Sequence, residues 1–222
     1  MNKFLFFMAL SVIFGLVATK AEAGERAPLN CVRMAENMKL VTVNYNYGEL
    51  RLDASNNTAE ISQLCSDRAA GCFHGPSGFI ANVDVTKVDV GSSCQAFQIT
   101  VNYDFSGSKI YVTNEYNPCN TRAVLRHELQ HFMIWKTSKE QLIRETKIAL
   151  KRWSIQNIER VGTEDSNTKN YAQGEVYKII NGLMSKWGKL EADNDKVLDD
   201  TDHDTSTEVN YSVCSQYELE IM

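Results

Sequence analysis

Phe97-Gln98-Ile99-Thr100-Val101-Asn102-Tyr103-Asp104-Phe105, followed by Thr121-Arg122-Ala123-Val124-Leu125-Arg126-His127-Glu128-Leu129-Gln130-His131-Phe132-Met133-Ile134-Trp135, divides the chain into two kinds of structure. The first segment alternates apolar and polar residues, the period of a half-buried strand. The second contains no Gly or Pro, and Asn120 or Thr121 can cap its first turn. Working outward, Val41, Val43, Tyr45 and Tyr47 alternate in the same way, and residues 79–90 and 109–113 read as further strands. Turn-rich pieces such as Asn56-Asn57 and Gly75-Pro76-Ser77-Gly78 separate them. Short connections and alternation favour antiparallel pairing.

Downstream, a second helix is predicted from about Ser138, with Leu142, Thr146, Leu150 and Trp153 on one side and its end at Val161-Gly162. A third is predicted over 174–190, where Val176, Ile179, Ile180, Leu183, Trp187 and Leu190 keep helical spacing. Residues 191–204 carry seven acids and one lysine and read as a loop. The expected fold is α+β, a small N-terminal antiparallel sheet followed by three helices.

Composition narrows the function. Of 222 residues, 43% are hydrophobic and 23% charged, ordinary values for a globular chain. A net charge of −5 disfavours a nucleic-acid binder held by phosphate contacts, and no glycine-rich phosphate loop is present. Met1 to Lys3, the apolar run Phe4–Ala18 and Ala21-Glu22-Ala23 have the layout of a signal peptide, giving a mature domain over 24–222. The apolar run is too short to span a bilayer, and no second run approaches it, so no membrane span is expected. All six cysteines follow residue 23, and an even count in an exported chain favours disulfides. Cys65 and Cys72 can close a short loop; Cys214 must reach far back, with Cys119 as one candidate partner.

The chemistry lies in His127-Glu128-Leu129-Gln130-His131, an HExxH pattern on the first main helix. At about 100° per residue the two histidines stand one turn apart on one face, where both imidazoles reach a single Zn²⁺. Glu128 falls between their outer edges, placed to take a proton from a zinc-activated water as general base. Two histidines leave zinc one protein ligand short. The candidates are His203 in Asp200-Thr201-Asp202-His203-Asp204, or a glutamate of the second helix such as Glu145 or Glu159, with Glu175 further on. The metzincin extension is absent, because Ile134 and Thr137 stand where glycine and histidine are required. Tyr211, Arg126 and His74 are candidates for an electrophile that steadies an oxyanion.

Arg126 to His131, Trp187 and Asp200-Thr201-Asp202-His203, spread over roughly residues 110–210, resemble the bacterial putative secreted zinc-dependent proteases, a family defined by a domain of unknown function. That family reads glycine after the late histidine, where this chain has Asp204. The resemblance implies a zincin-like catalytic domain and a metallopeptidase with one zinc per chain, held by His127, His131 and His203, acting on peptide or protein substrates. A zinc amidase acting on cell-wall or other non-protein amide bonds, and a non-catalytic exported binding domain, are the alternatives. Export is directly measurable: the intact mass of the secreted protein should correspond to a start at Gly24, and a mature form retaining Met1–Ala23 would contradict it.

Overall fold

The computed structural model describes residues 28–65, 70–76, 80–115, 118–161 and 167–219, with residues 80, 160, 167, 168 and 201–219 described by backbone alone. The signal-peptide segment therefore lies outside the described residues. The elements in chain order are α1 (Leu29–Asn37), β1 (Val41–Asn46), β2 (Arg51–Asp53), α2 (Thr58–Leu64), β3 (Gly71–His74), β4 (Ile80–Val90), β5 (Cys94–Asp104), β6 (Lys109–Val112), α3 (Pro118–Gln156), β7 (Glu159–Arg160) and α4 (Asn167–Leu219).

The strands read from alternation are all present, but their directions are mixed rather than antiparallel. One sheet has the order β1-β5-β4 with β7 on the end of β5; the other has the order β2-β6-β3. β4 and β7 run antiparallel to β5, and β3 antiparallel to β6, whereas β1–β5 and β2–β6 are parallel. Alternation reports which face is buried, not which way the neighbour runs. Direction is set here by the long crossover that returns the chain from β2 to β5 through α2, β3 and β4.

Because β1 continues into β2, β5 into β6 and β3 into β4, the two sheets follow one another as a single bent ribbon. Gly48 (φ 62°) and Gly107 (φ 99°) sit in the bend of two strands, in the left-handed region that only glycine enters without strain.

One face of β5, with Phe97, Ile99, Val101 and Tyr103, is buried in a core shared with Trp135, Leu142 and Leu150 of α3 and Ala172, Val176 and Ile180 of α4. The Tyr103 hydroxyl shares a 2.8 Å hydrogen bond with Thr146. Cys31–Cys94 ties α1 to the start of β5, and Cys65–Cys72 closes the expected short loop before β3. Closing a loop of 63 residues, the first stabilises by about 4 kcal/mol on the chain-entropy account. Cys119 is disulfide-bonded too; the Cys214 side chain lies outside the described residues.

The helical half departs from expectation in three ways. The first and second predicted helices are one, α3, starting at Pro118 and running 39 residues. Nothing between Trp135 and Ser138 breaks a helix, and Ser138 is buried within it rather than capping a new one. α3 ends at Gln156, before the expected Val161-Gly162 stop. The third helix extends over Asn167–Leu219 and absorbs the acidic segment 191–204, which is helix and not loop. With α1 and α2, the described chain has four helices beside two small mixed sheets.

Burial pushes the Tyr103 hydroxyl up to about 12, while an unfolded tyrosine ionises near pH 10. The unfolded chain thus loses this proton first. The Tyr103 contribution to stability is complete below pH 10 and is lost as pH rises from about 10 towards 12, roughly 3 kcal/mol in all. Urea midpoints for Tyr103→Phe should show a smaller fall between about pH 8 and about pH 11.5 than those of the parent protein.

Candidate metal centre

α3 presents successive residues to different partners. His127 and His131 face α4, while Glu128, about 100° away, turns towards the sheet. α4 runs antiparallel along α3, so Asp195 and Asp199 lie opposite the two histidines.

Three ligand atoms converge. His131 Nε2 lies 3.0 Å from His127 Nε2 and 3.0 Å from Asp199 Oδ1, and His127 Nε2 is 3.5 Å from the same oxygen. Around a tetrahedral Zn²⁺ with bonds of about 2.0–2.1 Å, ligand atoms are about 3.3 Å apart, so the triangle fits that ion. The donor set of two imidazoles and one carboxylate suits zinc as well. All three side chains are half-buried.

Asp195 orients the centre. Its Oδ1 is 2.9 Å from His131 Nδ1, so Nδ1–H donates to the carboxylate and Nε2 keeps its lone pair towards the other two ligands. Burial opposes a charge on His131. The bond to Asp195 and the nearby Asp199 and Glu128 carboxylates outweigh it and hold His131 above the ordinary histidine value.

Glu128 is buried, 5% exposed. That desolvation raises its carboxyl above the usual range, against the opposing pull of His127, His131 and a hydrogen bond from the Phe73 backbone N–H. The approach of β3 that supplies this N–H requires Gly71. A Cβ there would lie 2.6 Å from Val124 Cγ1 and 2.7 Å from the Tyr111 carbonyl oxygen.

His127 and His131 share one face of α3, one turn apart, while Glu128, expected between their outer edges, turns towards β3. The described side chain that joins the two histidines as a possible third ligand is Asp199. His203 follows one turn later on α4, and its side chain lies outside the described residues, as does that of Tyr211. The competing glutamates are engaged elsewhere: Glu145 accepts from Lys186 Nζ at 2.7 Å and Trp187 Nε1 at 3.1 Å, and Glu159 from Lys87 Nζ at 2.6 Å. Glu175 pairs with Lys178 at 2.5 Å. His74 closes β3, exposed, with its ring edge-on to Tyr111.

Asp195 and Asp199 were missed because their segment reads as an acidic loop. The available signal was the spacing Glu191, Asp195, Asp199, His203, four residues at each step, which is a stripe on a helix.

Beside the ligand triangle, Met133, Ile134, Thr137, Ser138, Trp187 and Asn194 line an open cleft of about 280 Å³ between α3 and α4. Comparison with family models, curated proteins and solved structures finds no match, so the site is read from its own geometry.

Asp199→Ala should weaken zinc binding about as much as His131→Ala, by titration against a competing chelator, whereas Glu145→Gln and Glu159→Gln should leave it unchanged. His203→Ala belongs in the same series: loss of affinity there, with wild-type affinity in Asp199→Ala, would transfer the third ligand to His203.

Proposed function

We propose that the protein is an exported zinc-dependent hydrolase, a metallopeptidase of zincin-like design. The observation that carries this reading is the pairing of a zinc-sized triangle at His127, His131 and Asp199 with a buried carboxylate on the residue between the histidines. A metal that only staples two helices needs no such glutamate; a hydrolytic centre does.

His127, His131 and Asp199 would hold the ion. When bound, zinc supplies Lewis acidity, easing loss of a proton from water and polarising a carbonyl. Glu128 takes that proton on its carboxylate and returns it to the leaving amine. The Phe73 N–H fixes the carboxylate while it does so. Asp195 keeps the His131 ring from turning.

Two disulfides fit an oxidising compartment, and no helix among the described residues is long and apolar enough to cross a membrane. The disulfides support export, and the leader ending near Ala23 rests on the sequence layout of Met1–Ala23. The mixed sheet whose β3 lies against the HExxH helix supports the zincin-like reading.

Glu128→Gln should retain zinc while hydrolysis of casein falls by at least about 10²-fold. Full activity in that variant would end the proposal. Casein left intact, with purified peptidoglycan cleaved, would redirect it to amide bonds of the cell wall.

A further inference from the structure

α4 contributes two ligand-side groups, Asp195 and Asp199, yet the packing that locates it stops short of them. Ile180 is its last fully buried side chain among the described residues. Leu183, Met184 and Trp187 still pack, partly buried, against the core, and beyond Trp187 the core no longer sets how far α4 is turned or slid along α3. A metal ligand must be placed to a few tenths of an ångström, so something else has to fix that register.

The polar contacts across the two helices form a series of rungs. Glu145 meets Lys186 and Trp187; Lys139 meets Glu191; His131 meets Asp195; His127 and His131 meet Asp199. One rung differs from the rest. Lys139 Nζ and Glu191 Oε2 are 2.7 Å apart with side chains only 8% and 19% exposed, against 50% and 32% for Lys186 and Glu145. A buried ion pair contributes little net stability, since desolvation offsets the attraction. Its best-attested use is to specify register, because a displaced partner leaves a charge buried alone.

The anchor is itself held. The Lys139 ammonium stands 5.7 Å from the centre of the Trp135 ring, and Trp135 is 3% exposed, packed against Phe73, Phe105 and Phe132. Glu191, Asp195 and Asp199 follow at four-residue steps on one stripe of α4, so fixing the first fixes the azimuth of the other two. The ammonium also counters the repulsion among three carboxylates on successive turns.

We infer that the buried Lys139–Glu191 pair is the positioning element of the metal centre, setting the register of α4 so that Asp195 meets the His131 ring and Asp199 completes the ligand triangle. This rests on the metal reading above. Neither residue touches the metal or a substrate; both act through Asp195 and Asp199.

The test replaces both partners, Lys139→Met with Glu191→Met, so that the whole pair is exchanged for apolar side chains at once. Zinc affinity and the visible absorption of the Co²⁺-loaded protein are read beside circular dichroism of the metal-free protein. The expected result is a folded variant with about 10-fold weaker zinc binding and a shifted Co²⁺ spectrum, the lower end of what loss of an outer-shell partner costs. Lys139→Arg, which keeps the charge, should retain the wild-type spectrum.

Wild-type affinity and spectrum in the double variant would overturn the inference and leave the metal reading intact. Failure of the wild-type protein to bind Zn²⁺ or Co²⁺ would overturn both. Should the double variant not fold, Glu191→Gln carries the same test: an altered spectrum supports a register pin, and an unchanged one overturns it.

Discussion

Everything in this molecule depends on one long helix packed on two sides at once. Residues 127 and 128 are neighbours in sequence but 100° apart around α3, so one reaches towards α4 and the other towards β3. Neither half of the site exists without the corresponding partner. The helix must therefore be straight and uninterrupted across the place where the bent ribbon passes from β5 to β6, which a run from Cys119 to Gln156 free of Gly and Pro permits.

The sheet and α4 meet that demand by different physics. On the sheet side the fit is steric and apolar: Phe73, Phe105, Phe132 and Trp135 interlock, and Gly71 lets a strand backbone come close enough to hydrogen-bond a glutamate. On the α4 side, the partly buried Leu183, Met184 and Trp187 give way to a polar fit graded along the seam, from the exposed Glu145–Lys186 rung through the Lys139–Glu191 pair to the candidate ligand triangle. An apolar interface tolerates small slips, whereas paired charges do not. The side that needs an exact ligand position is the side built from charges.

This division also gives the three carboxylates near the histidines different characters. Glu128, enclosed by the sheet, is pushed towards the neutral form. Asp195 and Asp199 stand in the more open seam, where Asp195 accepts from His131 and Asp199 joins the two histidines in a group that could hold a metal. Position between a dry face and a wet one separates the roles without any difference in functional group.

Sequence by itself determined what is periodic and local: the strands at 41–46, 80–90, 94–104 and 109–112, the helix beginning near residue 120, and the one-turn spacing of His127 and His131 around Glu128. Those signals survive because alternation and a helical face are written in neighbouring residues. Strand direction was not written there, since β1 and β5 are parallel through a crossover that alternation cannot register. The distal part of α4 was hidden because it buries no apolar stripe, so a search for hydrophobic period finds only acids. Its four-residue spacing becomes meaningful once α3 lies opposite. Tertiary structure alone decided that Asp195 and Asp199 face the histidines, because those contacts join residues 64 to 72 positions apart through a helix register that no local pattern encodes.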